Sequence, residues 1–138
     1  MGRLLSRAAV GSIAAFTMLG AGIAVAPSAA AAAAYNGACG SGYSVVNSAA
    51  LGSVGTVYLT YNSSTKQNCV VTVRNSPGTA IRMMAGLERS NDVYSWTYDV
   101  GQYTSYAGPV YVSGAGTCMN WSGYIGTVRI DRENTNCG

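Results

Sequence analysis

Between Val54 and Arg74 the side chains alternate so regularly that an extended chain accounts for them best. Val57, Leu59 and Tyr61 fall on one side and Thr56, Tyr58 and Thr60 on the other, the period of two that belongs to a half-buried β-strand. Residues 62–67 are polar turn material. Cys69, Val71 and Val73 then oppose Val70, Thr72 and Arg74, and Asn75, Ser76, Pro77 and Gly78 supply a strong turn signal. This reads as a hairpin and its exit. Further strands are expected at 43–47, 80–87, 93–98, 109–113, 117–121 and 124–131. The stretch 80–87 places Ile81, Met83, Ala85 and Leu87 on one parity and fits either a strand or a short helix. No segment of helical length carries a 3.6-residue period. Short strands with turn signals every 8 to 12 residues or so predict an all-β domain, a small antiparallel sandwich or barrel-like fold.

The first residues follow a different rule. Arg3 and Arg7 form a positive start, residues 8–26 form an apolar run, Pro27 ends it, and alanines fill 29–34. This is the pattern of a cleaved export signal, with Ala32 and Ala34 preceding a cut before Tyr35. Residues 1–34 are therefore expected to leave, and residues 35–138 to form one extracellular domain without a membrane anchor. The first cysteine, Cys39, lies beyond the apolar run, which argues against a lipid anchor. Losing Arg3 and Arg7 lowers the net charge from +3 to +1, six basic side chains against five acids. With no basic patch left, nucleic acid and anionic lipid have no electrostatic reason to bind.

The four cysteines Cys39, Cys69, Cys118 and Cys137 allow three pairings. Joining Cys39 to Cys69 and Cys118 to Cys137 is preferred, because each bridge then closes a loop and secures a chain end that would otherwise fray. In the loop-entropy model each bridge contributes roughly 3 to 4 kcal/mol. A zinc site is not expected, since no C-x-x-C pair exists and exported cysteines oxidise. The oxygen-rich segment 131–136 matches no calcium-loop spacing. Neither metal nor cofactor is expected.

The chain has no histidine, so the most common general base near neutral pH is missing. The acids Glu88, Asp92, Asp99, Asp131 and Glu133 would suffice for two-carboxylate glycosidase chemistry. They read instead as solvated turn and strand-end residues, and no catalytic residue is assigned. Lys66, the one lysine, sits in an exposed hairpin loop among Ser63, Ser64, Thr65 and Gln67.

Aromatics remain as candidates for binding. All ten tyrosines and both tryptophans follow the leader, whereas the one phenylalanine, Phe16, leaves with it. Tyr94, Trp96 and Tyr98 share one strand parity, and Tyr103, Tyr106 and Tyr111 follow through a presumptive loop at 101–108. Trp96, Tyr103, Tyr106 and Trp121 are the candidate binding surface. If that face is open it is a stacking platform for sugar rings; if closed, it is the core of a domain that lacks phenylalanine.

The segments Tyr35-Asn36-Gly37-Ala38-Cys39-Gly40-Ser41-Gly42-Tyr43, Gly55-Thr56-Val57-Tyr58-Leu59-Thr60-Tyr61-Asn62, Asn68-Cys69-Val70-Val71-Thr72-Val73-Arg74-Asn75 and Tyr103-Thr104-Ser105-Tyr106-Ala107-Gly108-Pro109-Val110-Tyr111-Val112 resemble the small exported bacterial family called spore-associated protein A. Cys118, Trp121-Ser122-Gly123 and Asn136-Cys137-Gly138 fit the same pattern, so the resemblance spans the mature chain in order. It implies an extracellular, disulfide-bonded protein of the cell or spore surface and carries over no catalytic or binding residue. The leading expectation is a non-enzymatic surface protein whose partner is a cell-wall or spore-surface polymer. A small glycan-binding module is the second expectation. A protease inhibitor presenting 62–67 or 101–108 is the third. Intact mass of the exported protein, with and without alkylation, checks the scaffold: the expected result is a chain beginning at Ala34 or Tyr35 that takes up no alkylating reagent until reduced.

Overall fold

A computed structural model describes residue 22 and residues 32–138. Nearly all of the expected leader lies outside the described residues. Eight strands follow in chain order: β1 (Ser44–Leu51), β2 (Gly55–Asn62), β3 (Gln67–Arg74), β4 (Ile81–Arg89), β5 (Asp92–Tyr103), β6 (Tyr106–Ser113), β7 (Met119–Ile125) and β8 (Val128–Thr135). They form two four-stranded antiparallel sheets, one ordered β1-β2-β3-β6 and the other β5-β4-β7-β8. The domain is an all-β sandwich closed by the Cys39–Cys69 and Cys118–Cys137 disulfides.

The core follows directly from the alternation. Val57 and Leu59 from β2, Val70 from β3 and Val110 and Val112 from β6 meet Met83, Ala85 and Leu87 from β4 and Met119, Trp121 and Ile125 from β7. Segment 80–87 is thus strand and not helix, because its odd-numbered side chains supply the centre of the second sheet. Several expected boundaries move. The expected single strand at 124–131 is two, broken by a turn at Gly126, whose φ of +59° suits a residue without a Cβ. The expected loop at 101–108 is also mostly strand: β5 runs to Tyr103 and β6 begins at Tyr106. Only Thr104 and Ser105 connect them, and Arg74 holds that connection, its backbone N–H donating to the Ser105 carbonyl (2.9 Å) and its guanidinium to Thr104 (3.0 Å). The turn at 62–67 is tight, with the Asn62 side chain accepting from the N–H groups of Ser64 and Thr65 at 2.9 and 3.2 Å.

The outer face of the first sheet is covered. Cys69, Val71, Thr56 and Thr60 face away from the core yet are buried, because the segment running from residue 32 into β1 lies across them. Cys39 is bonded to Cys69, the Tyr35 ring packs on Tyr58 with centroids 5.8 Å apart, and the Tyr43 ring meets Tyr111 edge-on at 5.6 Å. The hydroxyl of Tyr111 donates to the Cys39 carbonyl at 2.9 Å, and burial raises its pKa above the ordinary tyrosine value. These tyrosines are structural, tying the N-terminal strap to the sheet.

The two sheets come into contact beside Gly123. Across from it, the Thr72 hydroxyl donates to the Met84 carbonyl of the opposite sheet at 2.8 Å. A Cβ on Gly123 would come within 2.4 Å of Thr72 Oγ1 and 2.5 Å of a Val57 methyl. Gly123→Ala is therefore expected to destabilise the domain by about 1 to 3 kcal/mol, the usual cost of overpacking a filled core, read as a lower denaturation midpoint at unchanged slope.

Candidate functional site

Among the described residues no such segment crosses the outer face of the second sheet. Its side chains can be read from the strand register. Tyr98 pairs with Gly86, Gly86 with Ser122, and Ser122 with Asp131; beside that row run Val100, Met84, Tyr124 and Arg129. Glu88 pairs with Asn120 toward one end. The centre of the face, Gly86 and Ser122, is thus poor in side-chain volume, and larger groups stand on either side.

Trp96 fills part of that centre. A Cβ on Gly86 would sit 2.3 Å from its Cη2 atom and 2.8 Å from Cζ2, so the six-membered ring of the indole packs against β4 where no side chain intervenes. Trp96 remains 39% exposed, and next to it Tyr98 is 57% and Tyr94 97% exposed. The Trp96 and Tyr98 rings are inclined by only 27° with centroids 6.1 Å apart. They make one broad apolar surface on the strand that borders the sheet. The even-parity aromatics of β5 thus resolve as an open platform and not as core.

Polar groups rim the platform. The Arg82 guanidinium donates to the Tyr124 hydroxyl at 3.1 Å, and the Asn120 amide donates to Glu88 at 2.9 Å. Arg129 grips Asp131 through two hydrogen bonds of 2.6 and 2.8 Å, which hold that carboxyl below the usual carboxylate range. A shallow depression between Trp96 and β8 is lined by Glu88, Asn120, Ser122, Asp131 and Glu133 among others. A second, on the other side of Trp96, is lined by Arg82, Met84, Tyr98, Val100 and Tyr124. Aromatic faces bounded by paired amide, hydroxyl, guanidinium and carboxylate groups suit a ligand with flat apolar faces and a polar circumference.

The other expected site residues are placed elsewhere. Trp121 is corrected to a core residue: it is 1% exposed, shares its parity with Met119, Gly123 and Ile125, and its indole N–H donates to Thr135 at 2.8 Å. Tyr103 packs half-buried against the core, its hydroxyl bonded to Asp99, which raises the tyrosine pKa. Asp99 also accepts from the Gly108 N–H at 2.7 Å. Tyr106 is 41% exposed and shares a separate depression with Tyr103, Thr104, Ser105 and Gly108. Gly86, Met84, Ser122 and Tyr124 were not among the expected site residues. Gly86 carried a readable signal, since an isolated glycine within a strand pattern often marks a close approach; the others needed the register. Among the described residues no cluster of three or more metal-binding side chains occurs.

Replacing Gly86 by Ala is expected to lift Trp96 from its seat. Acrylamide quenching checks this, since Trp121 stays shielded: the more accessible component of the fluorescence should become easier to quench and shift to the red, with the fold retained.

The chain is 52% identical over 130 residues to the spore-associated protein A of Streptomyces coelicolor, covering 94% of this chain and 84% of that protein. No family model matches the chain, and no solved structure matches it.

Proposed function

Because the chain belongs to the spore-associated protein A family, we propose that it acts outside the cell, at the cell or spore surface, as a non-enzymatic protein that holds a surface glycan on the outer face of its second sheet. The observation that carries this reading is Trp96, packed against Gly86 and left open beside Tyr98. Exposing this much aromatic surface is unfavourable for the isolated domain, and a polar-rimmed patch of this kind is what a binding face requires. A sugar ring offers the matching chemistry: C–H groups on its faces to cover the aromatics and hydroxyls at its edge for the rim.

The carboxylates support binding over turnover. Asp92 is paired with Arg89 at 2.6 Å, Asp131 with Arg129, Asp99 with Tyr103 and Gly108, and Glu88 with Asn120. Four of the five acids thus have structural partners. Of the two expected inhibitor loops, 101–108 is absorbed into β5 and β6, whereas 62–67 stays a short turn with an exposed tip.

Retention on purified cell wall and insoluble glycans tests the proposal. Losing the contact of one large aromatic costs about 1.5 to 3 kcal/mol, so Trp96→Ala should weaken retention about 10- to 100-fold while the circular dichroism spectrum and unfolding midpoint stay near those of the parent. Absence of retention of the parent protein on every glycan would overturn the proposal.

A further inference from the structure

On the reading that this face binds a glycan, we propose that the depression between Trp96 and β8 is the subsite for an amino-sugar unit, whose nitrogen is received by the Glu88 carboxylate and the Ser122 hydroxyl.

Ser122 points to a ligand independently of the aromatics. It is 3% exposed, and among the described residues its Oγ has no hydrogen-bond partner. A buried hydroxyl without a partner is unfavourable, and other buried hydroxyls of the sandwich show how such groups are normally satisfied: Thr60 donates to the Cys69 carbonyl and Thr72 to that of Met84. The one other orphan among the described residues, Thr56, lies on the covered outer face of the first sheet. Ser122 instead lines the depression that Trp96 and Glu88 also line. Its Oγ is closed to solvent in the free domain, and a ligand atom that displaces its cover would complete its bonding.

The charges select the kind of atom. Both oxygens of Asp131 are engaged by Arg129, which neutralises that pair. Glu88 accepts from Asn120 through Oε1 alone, leaving Oε2 for a donor. Glu133 and Arg132 complete the charged lining. The lining therefore carries three carboxylates against two guanidiniums, and the group with free acceptor capacity in the depression that Ser122 lines is anionic. A sugar carboxylate or phosphate would meet Glu88 with like charge. An ammonium or amide N–H would meet it as a donor, and the charged form gains more, because hydrogen bonds between ionised partners are roughly twice as strong as neutral ones.

Three matrices presented to the full exported chain at about pH 5.5, where an ordinary carboxylate is ionised, separate the possibilities: chitosan, fully acetylated chitin and polygalacturonate. The subsite predicts that chitosan retains the protein about tenfold more tightly than chitin, the worth of one charge-assisted bond in place of a neutral one, and that polygalacturonate is the poorest. Glu88→Gln, which preserves the bond to Asn120, should bring chitosan down to the chitin level, and Ser122→Ala should weaken retention on both. Equal retention of the parent on chitosan and chitin, or an excess that survives Glu88→Gln, overturns the subsite and leaves the glycan-binding reading standing. Retention on none of the matrices or on cell wall overturns both.

Discussion

Everything this molecule presents to its surroundings depends on how β4 is held. Its Met84 carbonyl receives the Thr72 hydroxyl from the facing sheet, a bond that requires the two sheets to come close, and they can do so because Gly123 has no side chain to keep them apart. On the opposite side of the same strand, the Met84 side chain and the bare backbone at Gly86 form the floor on which Trp96 rests. Two glycines on neighbouring strands thus do complementary work. Gly123 lets the interior close, and Gly86 lets an aromatic ring pack against the exterior. A strand pinned from within by packing and an inter-sheet hydrogen bond is a rigid support, and rigid support is what keeps a platform from costing entropy when it binds.

A two-sheet sandwich has a single core but two outer faces, and in this chain the two are treated differently. The N-terminal strap, fastened by Cys39–Cys69 and by the Tyr35–Tyr58 and Tyr43–Tyr111 contacts, seals the first sheet. That is why Cys69, Val71 and Thr60 are buried although their parity points outward. Among the described residues no strap crosses the second sheet, and its outer face is an uneven surface of aromatic and charged groups. The same residue type therefore serves two purposes: tyrosines near Cys39 act as mortar, and those on β5 act as surface. Composition cannot distinguish them, since each is a large ring with a polar tip.

The second disulfide, Cys118–Cys137, ties the C-terminal end after β8 to the start of β7, so the chain is fixed near both ends of a small domain whose core is built mainly of valines, leucines and alanines. With the ends fixed, the domain can leave aromatic surface exposed without relying on it for stability.

The alternation of side chains determined the all-β class and the two parities of β2, β3 and β4, because strand periodicity is a local property of the chain. The cysteine spacing favoured the pairing that the structure shows, since each bridge closes a short loop at one end. Which aromatics are exposed was not legible. Trp121 and Trp96 each sit on alternating strands, and only the register that pairs Trp121 with Leu87 and Tyr98 with Gly86 decides that one indole enters the core and the other covers a glycine. The orphan hydroxyl of Ser122 was equally hidden, because whether a serine finds a partner depends on the strands beside it and not on its neighbours in sequence. The sequence by itself determined which residues could face inward; the tertiary structure alone decided which outer face was covered, because that depends on where a strap with no regular structure comes to rest.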